Sequence, residues 1–363
     1  MSVAESVILF VFILFGSSAT SLLYSKSKNA NAALIFLILS FLIMFIPAAI
    51  RDISVGSDTV TYVSMFYGIN DRPFLYENYE PLYVALNRFV GFVGLGYRGM
   101  LIIFSFLTYL FVFLSVPRKY LYIVVPMYIL IAYPYSMSML RQALAITIAM
   151  YALRLFLNKM YIKTIIWLFI SAGFHKSGIV YLPLFLFFFL FKVKTKYIIP
   201  IAIIGYILAS RIFTSQFVIE NIAVILGYTS RNITQVFNVV SQTSGIGSLL
   251  KKTLIAMPAI YLVLSNKKND NMLKNIVLLT FPLLIIANVY HSQSQIFNRL
   301  TMFFWVVYGV VFVCVCQTKS RYRKIVVYLI LCGWFFLFVF DLQKDPKIEG
   351  FMSVIPYKTM FQY

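Results

Sequence analysis

The stretch KTIIWLFISAGFHKSGIVYLPLFLFFFLFK, residues 163–192, decides the fold. It consists of two apolar runs separated by the polar sequence GFHKSG at 173–178, and a lysine stands at each end. Membrane proteins keep Lys and Arg on the cytoplasmic side, so both ends of this stretch are predicted to lie inside. The chain between them must therefore cross the membrane, turn at GFHKSG on the outer side and return.

The rest of the chain has the composition of a membrane protein as well. Of its 363 residues, 61% are hydrophobic and 12% are charged, and a soluble protein of this length would expose much of that apolar surface to water. A membrane-spanning helix needs about 20 mostly apolar residues, and this rule predicts a single all-α polytopic domain over residues 1–363 with about twelve transmembrane helices. The predicted segments lie near 6–23, 33–50, 99–116, 120–137, 139–157, 160–175, 177–193, 197–212, 249–264, 275–290, 299–317 and 325–341.

The net charge of +20 could indicate a nucleic-acid-binding protein, but its distribution indicates topology instead. Six turns hold 17 of the 31 basic residues and a single acidic one, Asp270. These turns are predicted to be cytoplasmic, which places both chain termini outside. No nucleic-acid partner is therefore expected. The turns are 25–28, 117–120, 154–163, 192–196, 266–274 and 319–324.

This topology leaves two long segments on the outer side. The first, residues 51–98, is predicted to be an outer loop that contains an interfacial helix near 81–97, because a membrane crossing there would force the basic turn at 117–120 outside. The second outer loop covers residues 211–248. The buried stripe of the interfacial helix is predicted to consist of Leu82, Leu86, Phe89 and Val93.

Charged residues from separated parts of the chain are predicted to meet on the outer face. Some have ordinary structural explanations: an Arg or Lys at a helix end often extends to the lipid headgroups, Asp52 can pair with Arg51, and Asp58 can cap the next helix. His291 can simply be solvated. As a group, however, they indicate a site. The contributing stretches are RDISVGSDTVTY at 51–62, LRQALA at 140–145, GFHKSG at 173–178 and HSQSQIFNR at 291–299.

The residue types in these stretches suit transfer of a sugar from a lipid-linked diphosphate. Guanidinium groups bind phosphate oxygens bidentately and keep their charge. A carboxylate can act as the general base that takes a proton from an acceptor hydroxyl, and tyrosines of the outer loop can stack on sugar rings. The sequence has no Walker-type phosphate loop, and its three cysteines have no His or carboxylate neighbours, so neither a cofactor nor a metal ion is expected.

Several of these residues also form an ordered set of motifs. Arg51, Gly56, Asp58, Thr59 and Tyr62 fit the pattern R-x4-G-x-D-T-x2-Y. After it come EPLY at 80–83, LRQ-x-x-A from Leu140, FHKS at 174–177 and Arg299 before an aromatic-rich segment. With these motifs in this order, the chain resembles the EpsG/Wzy-type polysaccharide polymerases.

The resemblance implies an enzyme of the bacterial inner (plasma) membrane that joins undecaprenyl-pyrophosphate-linked repeat units into O-antigen, capsule or exopolysaccharide. Both the donor, which carries the growing chain, and the acceptor are lipid-linked, and undecaprenyl pyrophosphate is the leaving group. The active site would face the periplasm or the exterior. Membrane lipid and a chain-length regulator are the other partners that the resemblance suggests.

The same resemblance implies roles for individual residues. Candidates for the base are Asp58, Glu80 and His175, and Asp58 ranks first because it lies in the tightest motif. Lys176 follows the histidine at a position where some relatives carry smaller residues, and here the sequence departs from the family pattern. The residues implied to bind the substrate are Arg51, Tyr62, Arg141, Gln142, Lys176 and Arg299.

Two other classes of protein share parts of this pattern. A flippase or other transporter of lipid-linked oligosaccharides would place ionisable groups near the middle of the bilayer and often has repeated halves. The sequence shows no internal repeat, and its charges gather at one face, which favours an enzyme. An O-antigen ligase or a membrane acyltransferase is the other alternative. A ligase would use the same donor chemistry, and only the motifs separate it from a polymerase.

Overall fold

A computed structural model describes residues 1–190, 322–343 and 353–361 of the chain, together with the single residues 200, 204 and 261. Several predictions from the sequence fall outside these residues. They are the transmembrane segments near 197–212, 249–264, 275–290 and 299–317, the outer loop at 211–248, the basic turns at 192–196 and 266–274, and the stretch 291–299 with His291 and Arg299.

The described residues are mostly α-helical, and the only extended pairing among them is an isolated antiparallel bridge between Arg51 and Thr359. Short 3-10 helices cover Pro73–Tyr76, Arg118–Tyr120 and Lys176–Val180. The α-helices, numbered in the order in which they are described, are α1 Val3–Lys26, α2 Ala30–Ala49, α3 Thr59–Asp71, α4 Pro81–Phe92, α5 Gly96–Leu114, α6 Leu121–Ile131, α7 Tyr133–Ser138, α8 Leu140–Leu157, α9 Tyr161–Phe174, α10 Tyr181–Leu190 and α11 Arg323–Gln343.

Four of these helices, α1, α2, α5 and α8, are long and apolar enough to cross a membrane. Each coincides with a segment predicted from the sequence, so the all-helical membrane architecture is confirmed for this part of the chain. The predicted segment at 120–137 differs, since it is divided at Ala132 into α6 and α7. Pro134 explains the division because it has no N–H to continue the hydrogen-bond ladder of α6.

The chain divides into two compact units. The first consists of Met1–Gly178 and Trp334–Tyr363, and the second is Ile179–Gly333. Within the first unit, α1 packs on α2 and α6, α5 packs on α2 and α8, and α8 packs on α9. The helices α1 and α2 also exchange a pair of hydrogen bonds, because the hydroxyls of Ser17 and Ser40 each donate to the other residue's carbonyl. Small hydroxyl residues of this kind allow two membrane helices to approach closely.

Basic turns that the sequence predicts to be cytoplasmic lie together at one end of the first unit. The Arg118 guanidinium donates hydrogen bonds of 2.7 Å to the carbonyl oxygens of Tyr24 and Ser27. Arg154, at the last turn of α8, donates to the Leu114 carbonyl at 2.7 Å. These contacts join the turns at 25–28, 117–120 and 154–163.

The opposite end of the unit carries the N-terminus, residues 353–361 and residues 51–58, which we call the signature loop. Ser6 in α1 accepts a hydrogen bond of 2.9 Å from the backbone N–H of Tyr357. At 1.5 Å per residue, Ser6 lies about 27 Å along α1 from Tyr24. The Tyr357 hydroxyl donates to the carbonyl of Pro47 near the end of α2. The signature loop is therefore separated from the basic turns by the length of the helices.

The segment between α2 and α5 contains more helix than the sequence suggested. Residues 51–80, read from the sequence as a loop, include α3 and the 3-10 turn Pro73–Tyr76. The helix expected near 81–97 is present as α4 but ends at Phe92, and Gly94 and Gly96 follow with positive φ angles of 77° and 62°. Both conformations favour glycine: Gly94 ends α4 just after its C-cap, and Gly96 is the first residue of α5.

The buried face of α4 differs from the predicted stripe. Tyr83, Asn87 and Val90 are buried, whereas Phe89 and Val93 are 57% and 51% exposed. The prediction was wrong for these two positions because Tyr83 and Val90 pack into a core shared with α3, α5 and α8. The outward apolar side chains instead form the surface expected of a helix that lies in a membrane interface.

The arrangement of the two ends can be tested by cysteine labelling in an otherwise cysteine-free chain. Ser54, Lys358 and Lys28 are well suited because each has an accessible side chain. We expect cysteines at 54 and 358 to react with a membrane-impermeant maleimide from the same side of the membrane, and a cysteine at 28 to react from the other. Labelling of positions 54 and 358 from opposite sides would contradict the structure.

Candidate functional site

The signature loop docks against the break between α7 and α8. Gly56 has φ +95°, and a Cβ atom at this position would lie 2.8 Å from the carbonyl oxygen of Met137. The next residue, Ser57, places its hydroxyl 2.6 Å from that of Ser138. Only glycine accommodates both the backbone conformation and the close approach. This contact holds the G-x-D-T motif against Ser138, which lies three residues before Arg141 in the chain.

Asp58 occupies the N-cap position of α3, but its side chain makes no capping hydrogen bond. It accepts a hydrogen bond from the Ser57 hydroxyl at 3.2 Å and is partly exposed. Tyr62 follows one helical turn later, so the two side chains lie on the same face of α3. The capping hydrogen bond that the sequence allowed for Asp58 is therefore absent from this structure.

Arg141, the second residue of α8, is surrounded by three aromatic rings that we call the tyrosine cage. Its guanidinium carbon lies 4.8 Å from the ring centroid of Tyr83, 5.6 Å from that of Tyr79 and 5.7 Å from that of Tyr62. Cations at such distances are attracted by the negative faces of the rings. Burial raises the pKa of the Tyr83 phenol and the Arg141 cation acts in the opposite direction, so this member of the cage stays neutral.

Glu80 connects three of the motifs. Its side chain is buried, and its Oε2 atom lies 2.8 Å from Nη1 of Arg141 in an ion pair. Its Oε1 atom accepts a hydrogen bond from the backbone N–H of Lys176 at 3.3 Å. Glu80 is the N-cap residue of α4, but its side chain makes no capping hydrogen bond to that helix. Its carboxylate instead contacts Arg141 and the Lys176 N–H.

The FHKS turn lies beside this ion pair. Nδ1 of His175 accepts hydrogen bonds from the backbone N–H and the hydroxyl of Ser177, at 3.3 Å and 2.5 Å. With Nδ1 acting as the acceptor, the proton of the neutral ring resides on Nε2. The ammonium group of Lys176 lies 3.5 Å from the carbonyl oxygen of Asn78. The turn therefore places a cation and an imidazole ring beside Glu80, the ion-pair partner of Arg141.

Arg51 occupies a different environment from Arg141. It is only 1% exposed, and its Nη1 donates to the carbonyl oxygen of Ala48 at the end of α2. Burial lowers the pKa of Arg51, and the phenols of Tyr109 and Tyr357 act in the opposite direction. The guanidinium stays charged because arginine keeps its proton in proteins. Contact between Arg51 and a substrate would require a change in this conformation.

The structure thus brings together most of the predicted site residues that it describes. Asp58, Tyr62, Glu80, Arg141 and the FHKS turn share one end of the first unit, and Gln142 is buried beside them in α8. Among the described residues, no group of three or more His, Cys, Asp or Glu side chains could hold a metal ion. Arg299 lies outside the described residues.

Sequence reasoning missed the part that the tyrosines play around Arg141. The sequence predicted sugar stacking for the tyrosines of the outer loop and gave Tyr83 only as the last residue of EPLY. In the structure the rings of Tyr79 and Tyr83 enclose the Arg141 guanidinium. One signal was available in the spacing of EPLY. Residues three apart lie on the same face of a helix, so Glu80 and Tyr83 can reach the same partner.

These features define the class of the protein: a helical membrane protein with caged, paired charges at one end of its helices. The chain belongs to the EpsG family, whose family model matches residues 34–359 and so includes every motif named above. This is the family of Wzy-type polysaccharide polymerases. No curated protein and no solved structure matches the chain.

Replacing Gly56 with alanine tests the docking of the signature loop. We expect Gly56→Ala to lower the unfolding midpoint of the purified protein in detergent, since the methyl group adds a clash with the Met137 carbonyl to a strained φ. Gly94→Ala is the matched control because Gly94 also has a positive φ but has no atom within 4 Å of the added carbon. Equal midpoints for the two variants would contradict the close approach.

Replacing Glu80 with glutamine tests the central ion pair. Removing one partner of a buried pair leaves an uncompensated charge, and we expect Glu80→Gln to destabilise the protein by about 3 kcal/mol. Glu77→Gln is the control, because Glu77 is exposed in the same connection and makes no ion pair with a described residue. Thermal unfolding in detergent makes the comparison, and a Glu80→Gln midpoint as high as that of Glu77→Gln would exclude a stabilising role.

Proposed function

We propose that this protein polymerises undecaprenyl-pyrophosphate-linked repeat units by glycosyl transfer at the outer face of the bacterial inner (plasma) membrane. The observation that carries the proposal is the meeting of motifs from α3, α4, α8 and the FHKS turn around Arg141, opposite the basic turns. A topology of about twelve spans, with the Arg141 end outside, is part of the proposal.

In this proposal Arg141 and Lys176 bind the diphosphate of the donor. The Glu80 ion pair and the tyrosine cage hold the Arg141 guanidinium in one orientation, so little reorganisation is needed when an anion binds. His175, in the same turn as Lys176, is proposed to lie beside the bound diphosphate. Arg299 is proposed to complete the set of cations, as the order of the motifs suggests.

Asp58 is the proposed general base. Both oxygens of Glu80 are already engaged, by Arg141 and by the Lys176 N–H, and Nδ1 of His175 is engaged by Ser177. Asp58 accepts a hydrogen bond from the Ser57 hydroxyl, but it is partly exposed whereas Glu80 is buried, and this exposure suits a group that must reach a substrate. A positioned base contributes about 10² to 10⁴ to the rate of such a transfer.

The proposed reaction needs no cofactor because the donor is already activated. The acceptor hydroxyl oxygen forms a bond to the anomeric carbon of the donor sugar, and Asp58 takes the hydroxyl proton. The bond between that carbon and the diphosphate oxygen breaks, and undecaprenyl pyrophosphate leaves with the electron pair. Positive charge from Arg141 and Lys176 stabilises the negative charge that develops on the leaving oxygen.

The surroundings of the site suit lipid-linked substrates. Phe89, Phe92 and the C-cap residue Val93 are exposed at the end of α4, and Glu80 is the N-cap residue at the start of the same helix. A helix with such an apolar face lies in the membrane interface, at the depth of the lipid headgroups. The diphosphate of a membrane-bound carrier would then lie level with Arg141. Tyr79, which is partly exposed, is the cage residue placed to meet a sugar.

Deletion of the gene in its host tests this function, with the surface glycan analysed on a gel. We expect the deletion strain to lose the ladder and keep core plus a single repeat unit, because transport and ligation of single units would continue. Asp58→Asn and Arg141→Ala should give the same single-unit pattern while the protein still reaches the membrane.

Asp71→Asn and Arg72→Ala are the matched controls, since both residues are exposed at the far end of α3. Like the site variants, one removes a negative charge and the other a positive charge. They should restore a full ladder. Loss of all repeat units in the deletion strain would indicate a flippase or a ligase instead. Full ladders from both site variants would remove the site assignment.

A further inference from the structure

Residues 353–361, which we call the C-terminal strap, lie across the signature loop although they are about 300 positions away in the chain. Three backbone hydrogen bonds join the strap to the signature loop and to Ile50, the residue before it. Each is 2.9 Å long, and they run from Asp52 N to Lys358 O, from Met360 N to Ile50 O and from Gly56 N to Ser353 O.

Tyr357 fixes the strap to the transmembrane helices. It is 2% exposed, its backbone N–H donates to Ser6 of α1, and its hydroxyl donates to the Pro47 carbonyl of α2 at 2.7 Å. Its ring meets that of Phe10 edge to face. Burial raises the pKa of Tyr357 to about 12, so the hydroxyl remains a donor throughout the physiological range. The strap is therefore anchored by a side chain as well as by its backbone.

Arg51 is enclosed beneath the strap. Within the described part of the chain, its Nε and Nη2 atoms have no hydrogen-bond partner and it forms no ion pair. A buried cation without a counter-charge is costly and persists only where its surroundings prevent water from reaching it or the side chain from leaving. Tyr357 of the strap is one of the residues that enclose Arg51. The burial of Arg51 therefore depends on the position of the strap, and the position of the strap depends on the burial of Arg51.

Gly56 is held from two sides. Its N–H bonds to Ser353 of the strap, and its α-carbon faces the Met137 carbonyl before α8. Asp58 is two residues further on. Displacement of the strap would release one side of this contact and with it the position of the Asp58 carboxylate relative to Arg141. The family match, which runs to residue 359, includes residues 353–359 of the strap.

We propose that the C-terminal strap is a fixed part of the catalytic site, in which Tyr357 and Arg51 are positioning residues that hold the signature loop, and through it Asp58, against α8 throughout turnover. This inference rests on the proposed function. It assigns Arg51 to the support of the loop, whereas the family resemblance implied that Arg51 binds the substrate. A strap that opened during each cycle would have to break its three backbone bonds and expose a buried cation.

A disulfide across the bridge distinguishes a fixed strap from one that opens. Asp52 and Lys358 lie opposite each other beside the Arg51–Thr359 bridge, and opposed residues of an antiparallel pair are about 5 Å apart, which suits a disulfide. The variant Asp52→Cys/Lys358→Cys is made in a chain without Cys314, Cys316 and Cys332. Purified protein in proteoliposomes is given the host's own undecaprenyl-linked repeat unit, and the initial rate of polymer formation is measured.

We expect the oxidised and reduced forms to polymerise at rates within about twofold of each other. A large loss of rate on oxidation that a reductant restores would show that the strap must open, and would overturn the proposal. If the parent protein makes no polymer under these conditions, the proposed function fails and the strap is not the cause.

Substitutions of Tyr357 provide the second test in the same assay. We expect Tyr357→Ala to lower kcat about tenfold or more while KM for the donor changes little, because the base is displaced and substrate binding is not. Tyr357→Phe, which keeps the ring, should recover most of the rate. Phe361→Ala is the control, since Phe361 is an exposed residue of the same strap. A raised KM with unchanged kcat, or a wild-type kcat for Tyr357→Ala, would overturn the proposal.

Discussion

The ion pair between Glu80 and Arg141 is the interaction on which the site depends. Both side chains are largely removed from water, where a charge needs a partner to be tolerated. The pair brings the start of α4 to the start of α8, and the second oxygen of Glu80 brings in the FHKS turn. The inward position of Tyr83 follows from this pairing, because Tyr83 lies one turn after Glu80 and packs over the same guanidinium.

The membrane helices and the cytoplasmic turns could be predicted from the sequence because the bilayer imposes both features. It requires long apolar runs to span it and keeps basic residues on one side. Hydropathy alone predicts the four long helices α1, α2, α5 and α8. The distribution of charge predicts that the basic turns lie at the same end of these helices. Other features depend on contacts between distant residues, for which periodicity gives no signal. The exposed face of α4, the tyrosine cage and the C-terminal strap are of this kind.

Arg51 and Arg141 show how position in the fold separates two residues that look alike in sequence. Both are arginines at the ends of apolar helices, and both belong to a motif. Arg141 is paired with a carboxylate and stands among residues that reach the surface, whereas Arg51 is enclosed and bonds to the backbone of its own helix end. Both arginines lie within the residues that the family model matches. In our proposals Arg141 meets the substrate, whereas Arg51 supports the loop that carries Asp58.

The central claim is that a lipid diphosphate binds at the Arg141 end of the protein. An electron cryo-microscopy structure of the protein in nanodiscs with bound undecaprenyl pyrophosphate tests it most directly. The account predicts phosphate oxygens within hydrogen-bond distance of the Arg141 guanidinium and beside the FHKS turn. A diphosphate bound instead at the opposite end, among the basic turns that contain Arg118 and Arg154, would contradict it.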